Sequence, residues 1–284
     1  MGKKNAAGAR LKGAEGFEAY YSALFGERWN ALKAALGAAP VYASLNARDG
    51  LEPYFLDPAS VFAAAQLPLE GAERVLDMCA APGGKTLVLA SRMDSDARLQ
   101  SNERSAARRQ RLVQVVGASL SLQVQERISV TGFDGARMCT VPQNAEAFDR
   151  ILLDAPCSSE RHVLSDPKYL AEWSPNRVKS LAMEQWALLS SAYRMLRSGG
   201  YLLYSTCALA PAENDEVIAR LLKKFPGARL ALAESEPALP ADVQDSFALP
   251  VIPAPERTPC GFHILPDHSA ACGPIWFSLI YKGD

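Results

Sequence analysis

At 284 residues the chain is long enough to bury a full core, as one large or two modest domains. With 49% hydrophobic and 21% charged residues it has the composition of an ordinary folded protein, and no run approaches the roughly 20 apolar residues of a membrane span. A net charge of −1 excludes a uniformly basic nucleic-acid binder, and six scattered cysteines exclude a disulfide framework and imply a reducing compartment.

The N-terminus has no apolar segment of the signal-peptide kind. Residues 1–14 carry Lys3, Lys4, Arg10 and Lys12 without an acid, which suits a solvated tail or a basic arm that touches phosphate. Phe17, Tyr20, Tyr21, Leu24, Phe25, Leu32 and Leu36 recur at helical spacing, and Gly37 to Pro40 ends that pattern. Tyr54 to Ser60 leads into a second helix over Val61–Leu67, followed by a linker at Pro68–Gly71. From there strands expected at 74–78, 97–101, 127–131, 148–153 and 200–205 alternate with helices at about 84–92, 104–117, 177–197 and 212–225. Such alternation predicts an α/β fold with a mostly parallel sheet covered on both faces. Residues 226–260 are rich in Pro and Ala and show no period, and the chain closes with two strands at Phe262–Leu265 and Ile275–Tyr281.

Three of the expected strands end in motifs that carry chemistry. The first runs into Cys79-Ala80-Ala81-Pro82-Gly83-Gly84-Lys85-Thr86. Its glycines permit close approach of backbone to a ligand, and the helix start after them offers free N–H groups. A phosphate loop would need glycine at position 79, where Cys79 stands. Glu103 lies 19 residues after Gly84, where an acid commonly holds a ribose, and Asp134 follows the third strand as a reader of an adenine edge. Together they predict an adenosine-containing cofactor. The fourth and fifth strands end in Asp154-Ala155-Pro156-Cys157 and Ser205-Thr206-Cys207. Two thiols at neighbouring strand ends suit one cleft in which one attacks a substrate and the other handles a proton or takes its place.

These strings resemble the motifs of the Nop/Sun (RsmB/RsmF-like) RNA 5-methylcytosine methyltransferases, over a region from about Tyr54 to the C-terminus. Pro211, Glu213 and Asn214 also match, as do Ser158 to His162 and Gly273 to Phe277, which are most similar to the branch containing the mitochondrial ribosomal RNA enzyme. The resemblance implies a Rossmann-like class I methyltransferase with a seven-stranded sheet over residues 51–284, preceded by a helical extension over 1–50 with a possible RNA contact. It implies S-adenosylmethionine as cofactor, bound by Cys79, Ala80, Ala81, Pro82, Gly83, Gly84, Lys85, Glu103, Arg108, Asp134 and Asp154. It also assigns Cys207 as the nucleophile toward carbon 6 of cytosine and Cys157 as the residue that helps release the product. Asp154 would bind the base, and Lys85 would orient Asp154 or the base.

The expected substrate is ribosomal RNA, with transfer RNA or a role as an RNA-binding assembly factor as alternatives. A monomer with a protein or ribosomal-particle partner is expected, in the cytoplasm or alternatively the mitochondrion. Arg161, His162, Lys168, Arg177 and Lys179 are candidates to line the approach of a flipped base. Arg104, Arg108, Arg109 and Arg111 form a basic helix start. Cys260, His263, His268 and Cys272 have ligand types and spacing compatible with zinc; against that, Phe262–Leu265 reads as a strand and the family implies no metal.

Overall fold

Two helices, α1 (Gly13–Phe25) and α2 (Trp29–Gly37), occupy the first helical pattern, split by a 3₁₀ turn over Gly26–Arg28. In the computed structural model, residues 12–45, 51, 53–233, 235–252, 254–268 and 272–283 are described; Lys3, Lys4 and Arg10 of the basic stretch and residues 46–50 at the end of the expected extension lie outside them. β1 (Ala43–Leu45) pairs antiparallel with β2 (Tyr54–Leu56). Helix α3 (Pro58–Ala65) starts three residues earlier than the apolar pattern suggests. The Asp57 carboxylate accepts the Ala59 N–H at 2.8 Å and Pro58 fills the first turn.

The alternation then runs β3 (Arg74–Asp77), α4 (Gly84–Arg92), β4 (Arg98–Asn102), α5 (Ala106–Ser119), the single-turn α6 (Leu122–Gln125), β5 (Ile128–Thr131) and β6 (Phe148–Asp154). Two short helices, α7 (Glu160–Ser165) and α8 (Pro167–Glu172), precede the long α9 (Pro175–Met195), β7 (Leu196–Thr206), α10 (Asp215–Lys224) and β8 (Ala228–Leu230). After α11 (Ala241–Ser246) come β9 (Phe247–Ala248), β10 (Glu256–Arg257), β11 (Phe262–Ile264) and β12 (Ile275–Lys282).

The main sheet has the order β10-β11-β12-β7-β6-β3-β4-β5, with β8 added on β12. The pairs β3–β4, β4–β5, β3–β6 and β6–β7 are parallel, and β12 and β11 run antiparallel at one side. The seven strands expected from the sequence are all present. β8 and β10 bring the sheet to nine, because pieces of two or three residues carry no readable period and exist only through their partners. β1, β2 and β9 form a separate three-stranded sheet.

One core cluster joins α3, α4 and α5 to one sheet face through residues such as Val75, Leu87, Leu99, Leu112 and Phe277. A second joins α9 and α10 to the other face through Leu76, Ile151, Leu189, Ile218 and Trp276. β12 contributes Phe277 to the first and Trp276 to the second, as strand alternation requires. The third cluster packs Phe17, Tyr21, Trp29 and Leu32 of the N-terminal helices on Val163, Trp173 and Leu209. Among the described residues no helix is long and apolar enough to cross a membrane.

Candidate active site

Strand order reverses between β3, which continues outward through β4 and β5, and β6, which continues the other way through β7. In open parallel sheets the crevice beyond the strand C-termini at such a reversal is where ligands bind. Asp77 closes β3, Asp154 closes β6 and Thr206 closes β7, so all three sequence motifs meet there. β6 and β7 are in parallel register with Asp154 opposite Ser205. Cys157 lies three residues beyond one partner and Cys207 two beyond the other, and their Sγ atoms come to 2.8 Å with both thiols free.

The Cys157 thiol is held well above its ordinary pKa, first by its hydrogen bond to Cys207, then by burial and by negative charge on Cys207. Lys85, in the first turn of α4, sends Nζ to Asp154 Oδ2 at 2.8 Å and reaches Ser60 Oγ at 3.4 Å. Burial pulls the Lys85 ammonium down, but the Asp154 charge and hydrogen bond and the proximity of Cys207 outweigh it, and its pKa is raised. The other Asp154 oxygen accepts Ser205 Oγ at 2.7 Å. A cation, a carboxylate and two touching thiols thus share one strand-end crevice.

The glycine turn borders the same space. Gly83 has φ +123°, and a Cβ there would stand 2.9 Å from Val115 Cγ1, so only glycine fits. Arg108 ties the turn to the β4 acid: its Nη2 donates to Ala81 O at 2.7 Å and its Nη1 pairs with Glu103 Oε2 at 3.2 Å. Glu103 Oε1 accepts the Ser105 N–H at 2.8 Å. Asp134 caps the following 3₁₀ helix by accepting the Ala136 N–H at 3.2 Å. Asn102 fastens the ends of β3, β4 and the loop after β5, donating to Met78 O and Phe133 O and accepting from Thr131 and Phe133. Burial raises the Cys79 thiol far above its usual pKa and, with nearby Asp154 and Glu103, pushes the buried Asp77 carboxyl up to about 7 despite its bond from Thr86.

A cavity of about 910 Å³ runs from Glu103, Arg108 and Asp134 past Asp154 to Cys157 and Cys207. A second hollow of about 430 Å³, lined by Tyr54, Phe55, Lys85 and Arg111 among others, shares Asp154 and Cys207 with it. Of the expected site residues, Cys79, Ala81, Pro82, Glu103, Arg108, Asp134, Asp154, Cys157 and Cys207 line the larger cavity, and Ala80, Gly84 and Lys85 line the smaller. Gly83 stands behind the turn against α5.

Other expected residues are not brought together. The Arg161 guanidinium donates to the carbonyls of Ala38 and Gly273, so it joins segments of the fold. His162 lines the larger cavity beside Tyr169, whereas Lys168, Arg177 and Lys179 are exposed and are not among the residues that line it. Cys260 packs with the Trp276 cluster and Cys272 with the Phe277 cluster, on opposite sheet faces. No group of three or more His, Cys, Asp or Glu side chains that could hold a metal occurs among the described residues. Sequence reasoning passed over Ser205, Asn102 and Gln185. Ser205 is legible only from its register opposite Asp154, and Gln185 sits in the middle of a long helix with no motif around it.

Residues 64–264 match the family model described as 16S rRNA methyltransferase RsmB/F. The chain belongs to that family. Ribosomal RNA small subunit methyltransferase F of Escherichia coli strain SMS-3-5 is 36% identical to this RsmB/F member over 246 residues, covering 78% of the chain and 49% of the relative. The corresponding Shigella boydii protein is 36% identical over the same extent. The chain thus spans about half the length of the curated relatives it matches. Among solved structures, a methyltransferase homolog protein from Pyrococcus horikoshii aligns with a TM-score of 0.69 at 21% identity, covering 94% of each chain. NSun6 from the same organism, solved with SFG, aligns with a TM-score of 0.62 at 21% identity over 83% of this chain and 54% of that one. Both share the class I methyltransferase fold with this RsmB/F chain.

Proposed function

We propose that the chain is an S-adenosylmethionine-dependent RNA (cytosine carbon-5) methyltransferase that acts on ribosomal RNA through a covalent cysteine–cytosine bond. The carrying observation is the contact between Cys157 and Cys207, which line one cavity with Glu103, Asp134 and the Asp154 that Lys85 pairs with. The family model and the ribosomal RNA methyltransferase relatives support the substrate class.

The residues present fit the cofactor by the chemistry of the donor set. Glu103, just past the end of β4 where an acid commonly holds a ribose, and Asp134, our reader of an adenine edge, line one cavity with Cys79, Ala81, Pro82 and the two thiols. When bound, S-adenosylmethionine supplies an electrophilic methyl group.

Carbon 5 of cytosine is too weak a nucleophile to take that methyl unaided. Addition of the Cys207 thiolate to carbon 6 forms an S–C6 bond and leaves an enamine whose electron density is on carbon 5. Asp154, held by Lys85 and Ser205, accepts a hydrogen bond from the base, and the Lys85 ammonium paired with it offsets negative charge that develops on addition. After carbon 5 is methylated, transfer of its proton to solvent restores the double bond as the C6–S bond breaks and Cys207 leaves as a thiolate. Cys157, kept as a thiol 2.8 Å from that sulfur, helps this release by donating a hydrogen bond to it. The target base must enter flipped or single-stranded. We assign residues 51–284 as the catalytic domain and 1–50 as an extension that contacts RNA, in a reducing cytoplasmic setting in keeping with six scattered cysteines.

The test uses purified protein, ribosomal RNA and labelled cofactor. Cys207→Ala is expected to abolish both methyl transfer and any RNA-linked band on a denaturing gel. Cys157→Ala is expected to accumulate that band. An adduct retained by Cys207→Ala overturns the assignment of the nucleophile.

A further inference from the structure

Glu160 is fully buried on α7, beneath the cysteine loops. One carboxylate oxygen, Oε1, accepts Ser158 Oγ at 2.6 Å, from the residue directly after Cys157. The other, Oε2, accepts the Leu209 N–H at 3.1 Å, two residues beyond Cys207. A single rigid carboxylate therefore bonds both loops at once. Oε1 also accepts the hydroxyl of Tyr21, which reaches in from α1 across 139 residues of sequence. Tyr21 is itself buried and is locked among Phe17, Trp29 and Trp173. A carboxylate that is taken from water survives only if its lone pairs are used, and here three donors from three segments use them.

We propose that Glu160 is a positioning residue that sets the separation of the Cys157 and Cys207 thiols, and that Tyr21 makes the N-terminal helix part of this device. The role rests on the two-cysteine chemistry proposed above. Without Glu160 the loops remain attached to β6 and β7 and Glu213 still accepts the Ser158 N–H, but among the described residues no other side chain bonds both Ser158 and Leu209. The thiols then sample a wider range of separations, and both addition and release slow. Burial raises the Glu160 pKa against the opposing pull of its bonds from Ser158 and Tyr21, while burial and Glu160 hold the Tyr21 phenol protonated as a donor.

The experiment first reads thiol separation without RNA. Diamide takes two electrons and two protons from a pair of close thiols, forming one disulfide while it is itself reduced to the hydrazine. Peptide mapping then gives the rate of Cys157–Cys207 linkage in the full chain. Glu160→Gln is expected to slow that linkage about tenfold, since one partner of a buried hydrogen-bonded set is replaced by a group that cannot accept at both atoms. Tyr21→Phe, which removes one hydroxyl and keeps the packed ring, is expected to slow it about threefold.

A purely structural role would lower the unfolding temperature and leave the linkage rate of the folded protein unchanged. That result, in Glu160→Gln or, should this variant not fold, in Tyr21→Phe, overturns the proposal. The second arm measures methyl transfer, where kcat is expected to fall with KM for RNA unchanged; a change confined to KM also overturns it. Failure of the parent protein to methylate RNA would defeat the proposed function, while the diamide arm would still decide the role of Glu160.

Discussion

Lys85 is held at the strand-end crevice by Asp154 and Ser60, near enough to Cys207 for their charges to act on each other, with only 11% of its side chain exposed. An ammonium in that place does two things. It fixes the carboxylate that binds the base, and it lies beside the sulfur that must carry negative charge. Lys85→Met keeps most of the volume and removes both effects. It is expected to lower single-turnover methyl transfer by about 10²- to 10³-fold, the scale found when one preorganised electrostatic partner is lost. A single-turnover rate within about threefold of the parent at saturating RNA and cofactor would remove Lys85 from that role. The lysine and the two cysteines were legible as motif residues. Ser205, which fixes the second Asp154 oxygen, was not, because its meaning comes from register with a neighbouring strand.

The elements behind Cys157 form a clamp. Gln185 Nε2 on α9 donates to Pro156 O at 2.9 Å and to Glu213 Oε2 at 3.0 Å, and that same Glu213 oxygen accepts the Ser158 N–H at 2.9 Å. The peptide groups before and after Cys157 are thus held by two side chains from the 3₁₀ turn Pro211–Glu213 and from α9. Burial, with nearby Glu160, raises the Glu213 carboxyl from 4.5 to about 7 against the bonds from Ser158 and Gln185. The native state therefore binds this proton more tightly than the unfolded chain. Stability from this group is full below about pH 4.5, falls as pH rises toward 7, and is flat above, a loss of roughly 3 kcal/mol. Asp77, also pushed up to about 7, adds a fall of the same sign. Glu213→Gln is expected to remove its own share. Urea unfolding at pH 5 and pH 8 reads this as a smaller difference between the two, and an undiminished difference would refute it.

At the scale of the molecule, the N-terminal helices are joined to the catalytic unit by an aromatic cluster. Phe17, Tyr21 and Trp29 pack around Trp173, which is 1% exposed at the end of α8, and Gly13 N–H donates to Trp173 O at 2.9 Å. Trp173→Ala opens a cavity among rings that cannot collapse together, and is expected to cost about 3–5 kcal/mol in urea unfolding. A cost under about 1 kcal/mol would show that this cluster contributes little. The third cluster is also where sequence reading was weakest. Trp173 lies in the break between the short α8 and the long α9, where no period is readable, so its packing against residues about 150 positions earlier is invisible along the chain.

By itself the sequence determined the parallel core, the glycine turn and the two cysteine motifs. Buried parallel strands are continuous apolar runs, and a turn that approaches a ligand admits few residues, so both leave a local trace. The same local logic misplaced boundaries where tertiary pairing overrode it. β7 starts at Leu196, inside the expected helix 177–197, because Leu196 pairs with Phe148 before a bulge in the ladder. Only the tertiary structure decided that Cys260 and Cys272 fall on opposite sheet faces, that Arg161 holds carbonyls, and that the thiols of Cys157 and Cys207 touch. It also joined Tyr21, Ser158 and Leu209 on one carboxylate. Each of these depends on groups far apart in the chain that meet only when the sheet order and register are set, and no periodicity or spacing encodes such a meeting.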